Sequence, residues 1–281
     1  MGHEEALRSM NTDKRLRVGA VSYLNTRPLI EDWQRLAGQH ELVLDLPSRL
    51  ADRLAAAELD VALIPSIEYF QDPSYAIVSD ACIACRGPVW SVKLFSRVPP
   101  AEIRTLAMDE GSRTSACLTR ILLWQRYGIR PREEILPIGA GVEATAADAI
   151  LLIGDRAIHS PAGEFPAEWD LGEEWCRWSG LPFVFAMWVA RPGLDTHSLA
   201  VALQATRDCG LTRLAAIAER SAGEVRLTAV DCLRYLRDNL YFYLGPPERR
   251  GLEKFRSLAQ ALGLAPSDGQ KGIVQETTIS R

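Results

Sequence analysis

No stretch of this chain approaches the roughly 18 consecutive apolar residues that a membrane-spanning helix needs. Residues 1–14, mixed in charge and without an apolar centre, read as neither a secretory signal nor an anchor. A cytoplasmic protein is expected. Basic runs are missing too: 32 Lys and Arg against 36 Asp and Glu leave a net charge of −4, which argues against nucleic acid or a membrane as partner. Any anionic ligand must therefore be held locally. Histidine is scarce, and His3, His40, His159 and His197 form no ligand spacing. Cys82 and Cys85 have C-x-x-C spacing but no second pair to complete a zinc site. No metal is expected. The six cysteines suit a reducing compartment, where they pack as small apolar residues. Internal repeats and low-complexity tracts are also lacking.

What is present is ordinary globular material, 281 residues at 47% hydrophobic, enough for two modest domains. Residues 16–21 read as a short buried strand that runs through a polar elbow, Ser22-Tyr23-Leu24-Asn25, into a helix reaching about residue 39. Thr26 is placed to cap that helix and Pro28 suits its first turn. A strand at 41–46, a helix capped by Ser48 and running to 58, and a strand at 61–64 complete a right-handed βαβαβ unit. The last of these strands ends in a second polar elbow, Pro65-Ser66-Ile67-Glu68-Tyr69. Extended segments at 75–84 and 89–95 flank the bend Arg86-Gly87-Pro88, and Val98-Pro99-Pro100 breaks the run.

A second unit follows: a strand at 105–108, a donor-rich loop Asp109-Glu110-Gly111-Ser112-Arg113-Thr114, and a helix over 115–127. Strands at 135–138 and 149–153, a helix at 169–178 and an apolar strand at 182–190 lead back to the first unit. Four helices (196–209, 212–221, 228–239 and 247–262) complete it. The expected class is α/β, a two-lobed periplasmic-binding-protein-like (type II) fold with the ligand cleft between lobes. Residues 1–98 form the first part of lobe 1, 99–190 an inserted lobe 2, 191–265 the C-terminal helices of lobe 1, and 266–281 a loose tail. In open α/β sheets ligands sit at the carboxyl ends of strands, where new helices aim unpaired N–H groups at them. Both loops thus read as anion cradles. Arg113 suits a bidentate carboxylate contact. Asp155 either caps the helix after it or faces the cleft, and Glu68 and Tyr69 belong to core or rim.

Six motifs, in order, sharpen this reading: Val-Ser-Tyr-Leu-Asn-Thr-Arg-Pro-Leu (21–29), Ile-Pro-Ser-Ile-Glu-Tyr (64–69), Gly-Pro-Val-Trp-Ser-Val (87–92), Ser-Arg-Thr-Ser (112–115), Leu-Ile-Gly-Asp (152–155) and Trp-Ser-Gly-Leu-Pro-Phe-Val-Phe-Ala-Met-Trp (178–188). As a set they resemble the chorismate dehydratase family of the futalosine route to menaquinone. The resemblance implies a cytoplasmic enzyme without metal or organic cofactor that converts chorismate, a small-molecule substrate, to 3-[(1-carboxyvinyl)oxy]benzoate and water. It places Asn25 and Ser91 at the reacting centre. Chorismate carries two carboxylates, so Ser22, Thr26 and Ser66 on one side and Ser112, Arg113, Thr114 and Ser115 on the other, with Asp155, are the candidate substrate-binding residues. Two rivals share the fold: the sister enzyme of that pathway, acting on a futalosine-derived nucleoside, and a non-catalytic solute-binding protein. Oligomeric state is not legible.

Overall fold

The structure, a computed structural model, describes residues 15–159, 161, 163 and 165–267. Most of the expected tail and the N-terminal residues 1–14 lie outside that range. Among the described residues the strands are β1 (Arg17–Val21), β2 (Glu41–Asp45), β3 (Val61–Pro65), β4 (Ala76–Cys85), β5 (Val92–Ser96), β6 (Thr105–Asp109), β7 (Arg132–Leu136), β8 (Ala149–Ile153), β9 (Ala167–Asp170), β10 (Phe183–Ala190) and β11 (Tyr241–Tyr243). They form two sheets, ordered β11-β4-β10-β3-β1-β2 and β7-β6-β8-β5-β9.

β1 lies parallel between β2 and β3, in register Val18 with Leu42 and Val18 with Val61. Pairing on both edges and cover on both faces explain why β3 is buried at every position rather than alternating. The expected βαβαβ unit is therefore present. β10 then inserts antiparallel between β3 and β4, with Trp188 beside Leu63 and Phe183 beside Cys85. Trp175 and Phe255 meet Phe183 edge-on at 5.2 and 5.0 Å between ring centroids. Those contacts fasten helices Leu171–Ser179 and Pro246–Ala261 to β10. No helix among the described residues is long and apolar enough to cross a membrane.

Several elements differ from the sequence expectation. β5 pairs with β8 and β9 in the second sheet, and β10 belongs to the first. Sheet membership thus moves β5 out of the 1–98 segment and β10 out of the 99–190 segment. The helix after β1 is a 3₁₀ helix over Leu24–Ile30 with Tyr23 in the capping position, so Thr26 is internal and caps nothing. Its Thr26 N–H bonds Tyr23 O at 3.1 Å. Extended Glu31 and left-handed Asp32 then break the expected run to residue 39. Ser48 is no cap either, because helix Pro47–Ala55 starts at Pro47 behind Leu46. β9 and β11, four and three residues long, were too short to show a periodicity.

Candidate functional site

The elbow after β1, the end of β3, the entry to β5 and the exit from β8 converge on one cavity, which helix Arg113–Tyr127 meets with its N-terminus. Its empty space, the open mouth included, is about 540 Å³. Asn25, Ser91, Ser112, Arg113, Thr114 and Ser115 all line it. Arg113 is the only charged side chain among the described lining residues, which are otherwise hydroxyls, one amide and apolar groups. Among the described residues no group of three or more His, Cys, Asp or Glu could hold a metal ion.

Asn25 and Ser91, 66 positions apart in sequence, line one cavity, and the buried Tyr235, which the sequence reading missed, sets its ring edge-on to Trp90 beside Ser91, at 6.0 Å between centroids. Thr26 Oγ1 donates to Asn25 Oδ1 at 3.3 Å, helping to orient the amide. Ser91 hangs on a tight turn. Trp90 before it takes a left-handed φ of 64°, a conformation bulky residues rarely accept. Asp170 pays for this by accepting the N–H groups of both Val89 and Trp90, and it caps helix Leu171–Ser179 through Glu173 N–H at 3.0 Å. Burial nevertheless raises the Asp170 pKa, against those N–H groups.

The remaining candidates divide. Ser112, Thr114 and Ser115 stand at the helix N-terminus on the cavity wall, and Thr114 Oγ1 also accepts Ile67 N–H at 3.2 Å. Ser66 is fully buried and donates to Val184 O, so it fastens β3 to β10 and does not line the cavity. Ser22 is exposed and outside the lining. Asp155 does neither of the two things expected of it. It follows the capping Gly154 of helix Asp155–Ile158 and is absent from the cavity lining; its Oδ1 is buried without a hydrogen-bond partner among the described residues, and burial raises its pKa. Arg113 is already engaged: its guanidinium meets Asp52 at 2.7 Å and Glu68 at 3.3 Å, both from the first-sheet side. Burial in turn raises the Glu68 pKa.

Tyr23, in the elbow but not among the expected site residues, also lines the cavity. Its ring lies against Gly154, whose φ is +65° and where an added Cβ would come within 3.0 Å of the ring. Glycine is needed there for both reasons. Burial and then the Asp109 carboxylate push the Tyr23 pKa from 10.0 up to about 12. The unfolded chain therefore releases this proton first, so stability should fall as pH rises from 10 towards 12, by at most about 3 kcal/mol. Denaturant melts across that window should show a smaller fall in Tyr23→Phe than in the parent. Equal falls would remove Tyr23 as the source.

A family described as menaquinone biosynthesis matches residues 16–261. The chain belongs to the menaquinone biosynthesis family. A chorismate dehydratase of Thermus thermophilus is 32% identical over 266 residues, covering 88% of this chain and 95% of that protein. Among solved structures, a protein of Archaeoglobus fulgidus superposes with a TM-score of 0.73 at 17% identity, covering 90% of this chain and 100% of that one. The periplasmic aliphatic sulphonate binding protein of Escherichia coli gives 0.60 at 12% identity, covering 91% and 95%. A Candida albicans protein with the generic periplasmic binding protein fold gives 0.61 at 11%, covering 90% and 92%. Identities this low speak to fold alone, and the fold is the two-sheet periplasmic-binding-protein type expected from the sequence. The menaquinone family match also spans the C-terminal helices, where no sequence motif had been found.

Proposed function

We propose that this chain is a chorismate dehydratase, a hydro-lyase that converts chorismate to 3-[(1-carboxyvinyl)oxy]benzoate and water in menaquinone biosynthesis. The observation that carries the reading is the 32% identity to the Thermus thermophilus chorismate dehydratase over 88% of the chain. The cavity suits the reaction. Chorismate loses the proton on its ether-bearing carbon and the hydroxyl on the neighbouring carbon, which leaves as water. The electron pair left by the proton becomes the double bond between those two carbons as the C–O bond breaks, and this third double bond makes the ring aromatic. Aromatisation supplies the driving force, so the protein has to position the substrate and stabilise developing charge.

Neither His nor a carboxylate is among the described lining residues, which supports the substrate's own enolpyruvyl carboxylate as the base. Asn25 and Ser91 orient that carboxylate and the departing hydroxyl. Ser112, Thr114 and Ser115, at a helix N-terminus, receive the ring carboxylate. Arg113 joins them by exchanging exposed Asp52 for the substrate. A carboxylate present in both substrate and transition state gains nearly uniform binding. Arg113→Ala should therefore raise KM by roughly tenfold with kcat little changed, a figure discounted for the partners Arg113 already holds. A fallen kcat at unchanged KM would take Arg113 out of the cradle.

The decisive assay is turnover. Chorismate incubated with the protein should give the aromatic ether with stoichiometric loss of the diene absorbance. Binding without conversion would instead indicate a solute-binding protein, and activity only on a futalosine-derived nucleoside the sister enzyme.

A further inference from the structure

We propose that Asp170 is a positioning residue for the dehydration: its carboxylate holds the strained turn that presents Ser91 to the cavity. The inference deepens the proposed function and rests on the reading that Ser91 faces the reacting atoms. The turn is three residues long. Ser91 N–H donates to Val89 O at 2.8 Å across Trp90, whose φ is 64°, and a three-residue turn of this hand is rare and strained. Strain of that kind persists only where the surroundings over-determine it, and it gathers at functional sites. Here Asp170 supplies the constraint. One carboxylate oxygen accepts Val89 N–H at 2.9 Å and the other accepts Trp90 N–H, so one side chain fixes both N–H groups that lead into Ser91. Val89 and Ser91 line the cavity and Asp170 does not, so it acts through the turn rather than on substrate.

Three features set this carboxylate apart from an ordinary helix cap. Asp170 does cap helix Leu171–Ser179, accepting Glu173 N–H at 3.0 Å, but that duty takes a single oxygen, and serine or asparagine performs it about as well. Its Oδ1 serves Glu173 and Val89 together while Oδ2 is left for Trp90; an ionised carboxylate supplies that many acceptor sites in one short side chain. The close approach is also built in. Gly172, in the first turn of that helix, has no room for a Cβ, which would stand 2.8 Å from Gly87 O and 3.0 Å from Val89 Cβ. Strand pairing fixes where the carboxylate starts from, since β9 lies antiparallel beside β5 with Asp170 opposite Lys93, two residues beyond Ser91. The rest of the segment is anchored as well. Buried Glu248 accepts from Arg86 at 2.8 Å, Asn239 Nδ2 donates to Pro88 O at 3.0 Å, and Ser91 O accepts Gly154 N–H at 2.8 Å.

Asp170→Asn keeps the size and shape but turns an NH2 group towards N–H donors. Its kcat should fall by about tenfold to a hundredfold with KM within about threefold, as a small misplacement of a positioned group costs rate more than binding. Asp170→Ser keeps a helix cap and gives up the reach to the turn. It should melt closer to the parent than Asp170→Ala does, yet lose as much kcat as Asp170→Asn. Parental kcat in Asp170→Ser would reduce Asp170 to a helix cap and overturn the proposal. A double-mutant cycle separates positioning from general weakening: if Asp170 works through Ser91, Asp170→Asn should cost little further rate in a Ser91→Ala background. Fully multiplicative losses would overturn the proposal too. Near-parental turnover in Ser91→Ala itself would instead overturn the reading of the reacting centre, and the role of Asp170 with it. Rates are expressed per folded protein, so a variant that folds in low yield still reports.

Discussion

Asn25→Ala should slow the chemical step by about a hundredfold or more and leave chorismate binding largely intact, because a preorganised donor aimed at developing charge is worth that much. Asn25 lines the cavity and its Oδ1 accepts from Thr26. The proposed carboxylate cradle stands apart from it, at the start of helix Arg113–Tyr127. A merely structural account would make Asn25 a helix cap, worth about 1 kcal/mol. The 3₁₀ helix Leu24–Ile30 instead has Tyr23 in the capping position and no side-chain cap, so Ala should cost little stability. Asn25→Asp is the harsher variant: it replaces two N–H donors with a negative charge beside a dianionic substrate, and both binding and turnover should suffer. Single-turnover kinetics with a thermal melt for each variant reads both effects. Near-parental turnover in Asn25→Asp would remove Asn25 from the site.

Gly210→Ala should destabilise the fold by about 3 kcal/mol, near the upper end of overpacking costs. Helix propensity forecasts the opposite sign, since alanine is better than glycine inside a helix by about 1 kcal/mol. Gly210 lies in helix His197–Thr212, where a Cβ would stand 2.0 Å from Pro28 O. The obstacle is backbone, which cannot rotate aside. Pro28 is part of the 3₁₀ helix that carries Asn25, so the strain should also disturb the reacting centre and lower kcat beyond the unfolded fraction. Chemical denaturation gives the sign directly. A more stable variant would mean that the two helices do not meet as closely as described.

Several cavity-lining residues were legible because strand, elbow and helix are local chemistry. An apolar run followed by Ser22-Tyr23-Leu24-Asn25, or by Ser112-Arg113-Thr114-Ser115, marks a strand end opening into a helix whatever the rest of the chain does, and Asn25 and Ser112 to Ser115 do line one cavity. Where a given hydroxyl points was not legible. Ser66 and Ser115 read alike as donors after a strand. Only the antiparallel insertion of β10 beside β3 brings Val184 O to the Ser66 hydroxyl and takes it from the ligand side. Arg113 read as a free cation for the same reason: Asp52 and Glu68, which hold it, come from segments 61 and 45 residues away.

By itself the sequence determined the α/β class, the βαβαβ opening, the two-sheet plan and the ordered motifs that mark the menaquinone biosynthesis family. Each of these is written in short-range periodicity and turn chemistry. The tertiary structure alone decided that β5 and β10 exchange sheets, that Asp170 holds the turn before Ser91, and that the distant Tyr235 ring stands edge-on to Trp90 in that turn. These are pairings between groups far apart in the chain. A buried polar group takes whichever partner packing brings within hydrogen-bond reach, and no local pattern records that choice.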